Sequence, residues 1–174
     1  IIDSVTDVKA VARNIAFSLA LYSGQMCTAP QNLYIPRGGI DTADGPMSFD
    51  AVAAAIADAV QKLLGDPARA VEVLGAIQND GVLRRLEAAR ALGTVVLDSQ
   101  SLAHPAFPGA AIRTPLLVKL DVADRAIYLN EWFGPIGFVI ATDSTVQSLA
   151  VARDAVHAHG ALTMSVYSTR DEVI

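Results

Sequence analysis

The run Ser23-Gly24-Gln25-Met26-Cys27-Thr28-Ala29 carries the only cysteine of the chain, set between a helix-patterned apolar stretch and a β-like run. A thiol becomes a useful nucleophile as thiolate, and a glycine-containing loop lets backbone N–H groups approach the sulfur and any oxyanion formed beside it. A lone cysteine also occurs as a small, inert, packed hydrophobe, so its neighbourhood decides between the two. The second group with chemical potential is Asn130-Glu131-Trp132-Phe133-Gly134-Pro135, a carboxylate beside two aromatics and a Gly-Pro turn. Taken alone, Glu131 reads as a solvated turn carboxylate and Trp132-Phe133 as the anchor of its loop. His157 and His159 lie two apart at a helix end, which points them to different sides, and no cysteine is near enough to complete a metal site. His104 beside Pro105 is a loop residue.

These groups need elements to hold them. Ser4 followed by Asp7 suggests a capping box, after which Val8, Val11, Ala12, Ile15, Ala16, Leu19 and Ala20 keep helical spacing up to Gly24. Cys27 then falls just past a helix C-terminus, where the dipole does not favour an anion, so the loop amides have to do so. Leu33-Tyr34-Ile35 predicts a strand closed by Pro36, and Arg37 to Pro46 a surface loop. Ser48 caps a second helix with the stripe Phe49, Val52, Ile56, Val60, Leu63 and Leu64, which Gly65 and Pro67 end. A third helix runs from Asn79 or Asp80 to Leu92 with Leu83 and Leu86 inward, followed by a β run at Thr94 to Leu97. Beyond the loop from Ser101 to Pro115, strands are expected at Leu116 to Leu120, Ala126 to Leu129 and Ile136 to Ala141. Ser144 with Gln147 opens a helix to about His159, with Val146, Leu149 and Ala150 inward, and Leu162 to Tyr167 forms the last strand. Helix alternating with apolar strand predicts an α/β fold, three-layer, with a mainly parallel sheet and helices on both faces.

Composition narrows the function. With 174 residues, 52% apolar and 18% charged, the chain suits one domain, 1–174, with a sizeable core. No apolar run is long enough to span a bilayer, and Asp58 interrupts even the alanine-rich stretch from Ala51 to Val60. A net charge of -5 with scattered basic residues argues against nucleic acid as a partner. One cysteine makes no internal disulfide, which suits a reducing cytoplasm. The chain starts without Met and stops where a helix is about to begin, which reads as a piece of a longer protein.

Gly24-Gln25-Met26-Cys27-Thr28-Ala29 resembles the catalytic-cysteine signature of the aldehyde dehydrogenase superfamily. Glu131-Trp132-Phe133-Gly134-Pro135 resembles its Glu-x-Phe-Gly-Pro motif, in the same order and at similar spacing. Gly65-Asp66-Pro67 is similar to the family's Gly-(Asn/Asp)-Pro turn, and Gly160 to Thr169 to its carboxyl-proximal Gly-Leu strand, so the likeness spans nearly the whole chain.

What this resemblance implies is specific. Cys27 would attack an aldehyde carbonyl, hydride would pass to NAD or NADP, and a thioester would be released to water or another acceptor. Glu131 and Phe133 match family residues that hold the cofactor's nicotinamide ribose, while no metal is implied. The family's general base is an upstream glutamate, yet the only acids before Cys27 are Asp3 and Asp7. Its oxyanion asparagine and dinucleotide-binding domain also lie upstream, and no Gly-x-Gly-x-x-Gly occurs here. The fragment alone is therefore expected to be inactive, and its parent to be a homo-oligomer acting on a small aldehyde. Cys27-Thr28-Ala29-Pro30-Gln31-Asn32 departs from the common continuation and is most similar to the phenylacetate-degradation, PaaN-type branch. A coenzyme A-acylating member and a catalytically silent interaction module are the competing readings.

Overall fold

The computed structural model describes residues 1–174. The elements follow in the order β1 (Ser4–Val5), α1 (Val8–Ala20), a 3-10 turn (Leu21–Gly24), β2 (Asn32–Pro36), β3 (Ile40–Thr42) and β4 (Gly45–Met47). Helices α2 (Phe49–Leu63), α3 (Pro67–Val73) and α4 (Asp80–Ala89) come next, then β5 (Thr94–Leu97), β6 (Ser101–Leu102), β7 (Ile112–Arg113) and β8 (Leu116–Asp121). The chain continues through α5 (Arg125–Tyr128), β9 (Ile136–Thr142) and α6 (Thr145–His159).

The central sheet has the order β2-β9-β8-β5. Its first three strands are parallel, with Asn32 opposite Phe138 and Leu116 opposite Ile136, and β5 joins β8 antiparallel. Alternation along the strands sorts side chains to two faces. Tyr34, Leu116, Val118, Leu120, Ile136, Phe138 and Ile140 pack with Leu86 of α4, Tyr128 of α5, and Val151 and Ala152 of α6. Leu33, Ile35, Leu117 and Val139 pack with Ile15 and Leu19 of α1, Ile56 and Val60 of α2, and Val71 of α3. Helices thus cover both faces, as expected, and that double cover is why β9 is buried at all seven positions. Gly137 keeps the second face flat where Leu19 and Leu117 close over it, since a Cβ there would stand 2.9 Å from Leu117 Cδ2. No helix is long and apolar enough to cross a membrane.

Several local expectations need correcting. Asp7 alone caps α1, accepting from Ala10 N at 2.9 Å, while Ser4 lies in β1. The helix ends at Ala20, before Gly24, because Leu21 leaves helical geometry at φ -53, ψ 122. The supposed loop from Arg37 to Pro46 folds largely as the β3–β4 hairpin, and β1 adds to it in parallel. Pro67 does not merely end a helix; it opens α3 at the first position, where its missing N–H costs nothing, under an Asp66 cap. In α4 the inward residues are Val82, Leu86 and Ala89 rather than Leu83, and the helix stops at Ala89 rather than Leu92. Ser101 to Pro115 holds the short β6–β7 pair. Ala126 to Leu129 is one turn of helix, not strand. In α6 the buried positions are Ser148, Val151 and Ala152, with Val146 76% exposed. The box at its start is shifted, since Ser144 Oγ accepts from Gln147 N while Gln147 Oε1 accepts from Asp143 N. Of Leu162 to Tyr167 only Tyr167 forms a β-bridge, with Ile2, and toward Leu162 the contact runs no further than Ile1 N donating to Ser165 O.

Candidate active site

Between α1 and β2 the chain reverses through three successive left-handed residues, Tyr22, Ser23 and Gly24, at φ 50, 54 and 64. Two of them are not glycine, an arrangement that persists only where the surroundings enforce it. Ser23 is fully buried, and its hydroxyl lies 2.9 Å from Gly75 O and 3.1 Å from Arg113 O. Gln25 Nε2 donates to Tyr22 O and Ala76 O. The loop is thereby tied to the segment between α3 and α4 and to β7. Past it, Ala29 N donates to Met26 O at 3.0 Å and closes a turn with Cys27 and Thr28 at its centre. Cys27 is exposed, and no group of the chain accepts from the Cys27 or Thr28 N–H. A sulfur with two uncommitted amides beside it is the arrangement that stabilises an oxyanion formed at an attacked carbonyl.

The Glu131 loop is brought to this turn by main chain. A Cβ on Gly24 would stand 2.7 Å from the Gly134 carbonyl carbon and 2.9 Å from Pro135 Cα, so the two segments abut with no room for a side chain. Gly134, at φ 135, faces α4 in turn, where an added Cβ would stand 2.6 Å from Val82 Cγ1. Arg85 Nε donates to Phe133 O, Trp132 Nε1 donates to Ile127 O, and the Trp132 ring meets Phe138 edge-on at 5.9 Å. Trp132 is thus the loop's anchor. From the cysteine side, Gln31 Nε2 donates to Tyr128 O and Asn130 O, Gln31 Oε1 accepts from Trp132 N, and Asn32 Nδ2 donates to Tyr128 O. Sequence reasoning used Pro30-Gln31-Asn32 as a departure and a branch marker and gave Gln31 and Asn32 no structural role; the signal available was a pair of carboxamides leading into an apolar strand.

One cleft of about 730 Å³ is lined by Cys27, Thr28, Asn130 and Glu131 together, with Tyr34, Tyr128 and His159 on its walls. Phe133 is not in that lining and keeps 37% of its surface exposed. The Glu131 side chain makes no ion pair or hydrogen bond within the chain. Burial pushes the Tyr34 hydroxyl up to about 12, helped by Tyr128 nearby, so it stays protonated at neutral pH. His159 shares the cleft without bonding Cys27, and His157 is not part of it. No three metal-ligating side chains converge anywhere in the chain.

The cleft opens at the amino ends of β2 and β9, since the Cys27 turn leads into β2 and the Glu131 loop into β9. Sites of open α/β sheets generally sit at the carboxyl ends of the strands. Here the parallel pairing of two neighbours lays their two leading loops side by side.

A cysteine turn and a carboxylate loop thus face one cleft of a three-layer α/β domain. The chain belongs to the aldehyde dehydrogenase family, whose profile matches residues 1–173. The crystal structure of an NAD-dependent aldehyde dehydrogenase from Burkholderia multivorans is similar over 99% of this chain, with a TM-score of 0.97 and 70% identity, and the chain spans 31% of it. Lactaldehyde dehydrogenase of Escherichia coli is 27% identical over 93% of this chain, which spans 32% of that protein. An NAD-dependent benzaldehyde dehydrogenase from Corynebacterium glutamicum shares the fold at a TM-score of 0.62 and 23% identity, covering 98% of this chain and 35% of that one. The chain thus spans about a third of the length of each of these relatives.

Proposed function

We propose that this chain is the catalytic-type domain of an aldehyde dehydrogenase in which Cys27 is the nucleophile. The observation that carries this is the shared cleft: an exposed sulfur with two free amides, and a carboxylate with no partner in the chain. The Cys27 thiolate adds to the aldehyde carbon, forming a C–S bond while the carbonyl π pair moves to oxygen, where the Cys27 and Thr28 amides stabilise it. Bound NAD would supply the acceptor for the hydride that leaves this carbon. Cys27 then holds the acyl group as a thioester, and attack by water releases the carboxylic acid and returns the thiol.

The residues toward the cofactor fit that role. Glu131 offers two uncommitted carboxylate oxygens to ribose hydroxyls, and Phe133 a partly exposed ring two residues on. NAD is favoured over NADP by the 70% identical NAD-dependent relative. The general base and the dinucleotide-binding domain would come from outside these residues, within a cytoplasmic homo-oligomeric parent. The run Cys27 to Asn32 supports an aldehyde from aromatic breakdown, in phenylacetate degradation, as substrate.

The full-length parent tests this. Cys27→Ser is expected to abolish aldehyde-dependent NADH formation, and a mass increment of one acyl group should be trapped on Cys27 when water is limiting. Turnover retained by Cys27→Ser overturns the reading, and acyl-coenzyme A formed in place of acid replaces its last step.

A further inference from the structure

Gln31 lies four positions after Cys27, at the mouth of β2, and is half-buried. Its main-chain carbonyl accepts from Phe138 N at 2.7 Å, which locks it to β9. Its carboxamide reaches the other way. Oε1 accepts from Trp132 N at 2.7 Å, while Nε2 donates to Asn130 O at 2.9 Å and to Tyr128 O at 3.1 Å. Asn130 O and Trp132 N are the peptide groups on either side of Glu131. One side chain therefore grips both peptide planes that orient Glu131, from a residue whose own main chain is continuous with the cysteine turn.

We propose that Gln31 is a positioning residue that sets Glu131 opposite Cys27 for the cofactor. The chemistry needs a carboxamide in particular, because the site asks for one acceptor and two donors on a single planar group. A glutamate keeps the acceptor but turns a second oxygen toward two carbonyl oxygens, and a methionine leaves the Trp132 N–H and Asn130 O without their partner, Tyr128 O keeping only Asn32 Nδ2. Neither change touches the Ser23 and Gln25 contacts that hold the sulfur, nor the Gly24 approach to Gly134. Gln31 consequently governs where the carboxylate stands, not whether the turn forms.

This inference rests on Glu131 contacting the cofactor, and a double-mutant cycle in the full-length parent separates the two claims. Calorimetric titration with NAD is expected to give a Kd raised on the order of tenfold for Gln31→Met, the effect of removing the hydrogen bonds that fix both peptides beside Glu131. Glu131→Ala should raise it by a similar factor, and the double variant by no more than about twofold beyond either single change. Iodoacetamide should alkylate Cys27 in Gln31→Met within about twofold of wild type. If Glu131→Ala leaves the NAD affinity unchanged, the cofactor role of Glu131 falls and this inference with it. If Glu131→Ala weakens NAD but Gln31→Met does not, or the two effects multiply, Gln31 alone loses its role. Alkylation slowed by the same factor as NAD binding would show a general brace rather than a positioner and would also overturn it. Should Gln31→Met not fold, Gln31→Glu is read against the same outcomes.

Discussion

Replacing Gly24 by alanine tests the contact that joins the two halves of the site. The position has φ 64, where an L side chain costs roughly 1–2 kcal/mol. The added Cβ would also stand 2.7 Å from the Gly134 carbonyl carbon and 2.9 Å from Pro135 Cα. Both are main chain and have no rotamer to yield, so the loops must part by roughly 1 Å, and overpacking of this kind costs about 1–3 kcal/mol. Together these give a destabilisation of about 3 kcal/mol. With a urea dependence of roughly 2 kcal/mol per molar for a chain of this size, the denaturation midpoint should fall by about 1.5 M. In the full-length parent, a displacement of that size between sulfur and carboxylate loop should lower kcat/KM on the order of a hundredfold. Gly38→Ala is the control, since its Cβ would meet nothing within 4 Å, and it should stay within about 0.5 kcal/mol of wild type. A midpoint for Gly24→Ala indistinguishable from that of Gly38→Ala refutes the main-chain contact.

The remaining predictions concern the core and the buried carboxylate. Burial alone would raise the Asp3 carboxyl, but Arg170, Ser168, Thr145 and Ser4 all bond it and hold it down to about 2. Its contribution of about 1–2 kcal/mol is therefore fully present above the unfolded value near 3.8 and is lost as pH falls through 2. Asp3→Asn should lower stability by about that amount at pH 7 and flatten the loss between pH 4 and 2, as followed by urea denaturation at each pH. Phe138→Ala, emptying a fully buried site under Trp132, should cost about 3–5 kcal/mol in the same assay, whereas Phe107→Ala, 65% exposed, should change stability by less than about 0.5 kcal/mol.

The layers and the main strands were legible because apolar periodicity reports burial. Strands covered on both faces read as unbroken runs, as β8 and β9 do, and helix stripes such as Ile15–Leu19 mark one face. The pairing of Cys27 with Glu131 was legible through motif order alone, and the shared cleft is where the structure puts them. Short elements were not legible. Ala126 to Leu129 carries strand-like residues, yet its amides bond Asp124 and Arg125 carbonyls in a helical turn, a tertiary outcome with no periodic signature. Leu162 to Tyr167 had the composition of a strand, but only its end, Ser165 to Tyr167, meets a neighbour, Ile1 to Ser4, and composition never reveals how far a pairing runs. The Gln31 grip escaped for a related reason: hydrogen bonds to backbone depend on where a loop arrives, not on which letters it contains.

The two loops of the site lead directly into β2 and β9, adjacent rows of one hydrogen-bonded ladder buried at the centre of the domain. Only four residues, 28–31, separate Cys27 from β2, and four, 132–135, separate Glu131 from β9. Deuterium uptake at the amides of 32–36 and 136–142 should rise in step with disappearance of the cleft under increasing denaturant, as a single cooperative unit. The geometry of the cleft is thus an all-or-none property, present while the central rows are zipped and gone once they part.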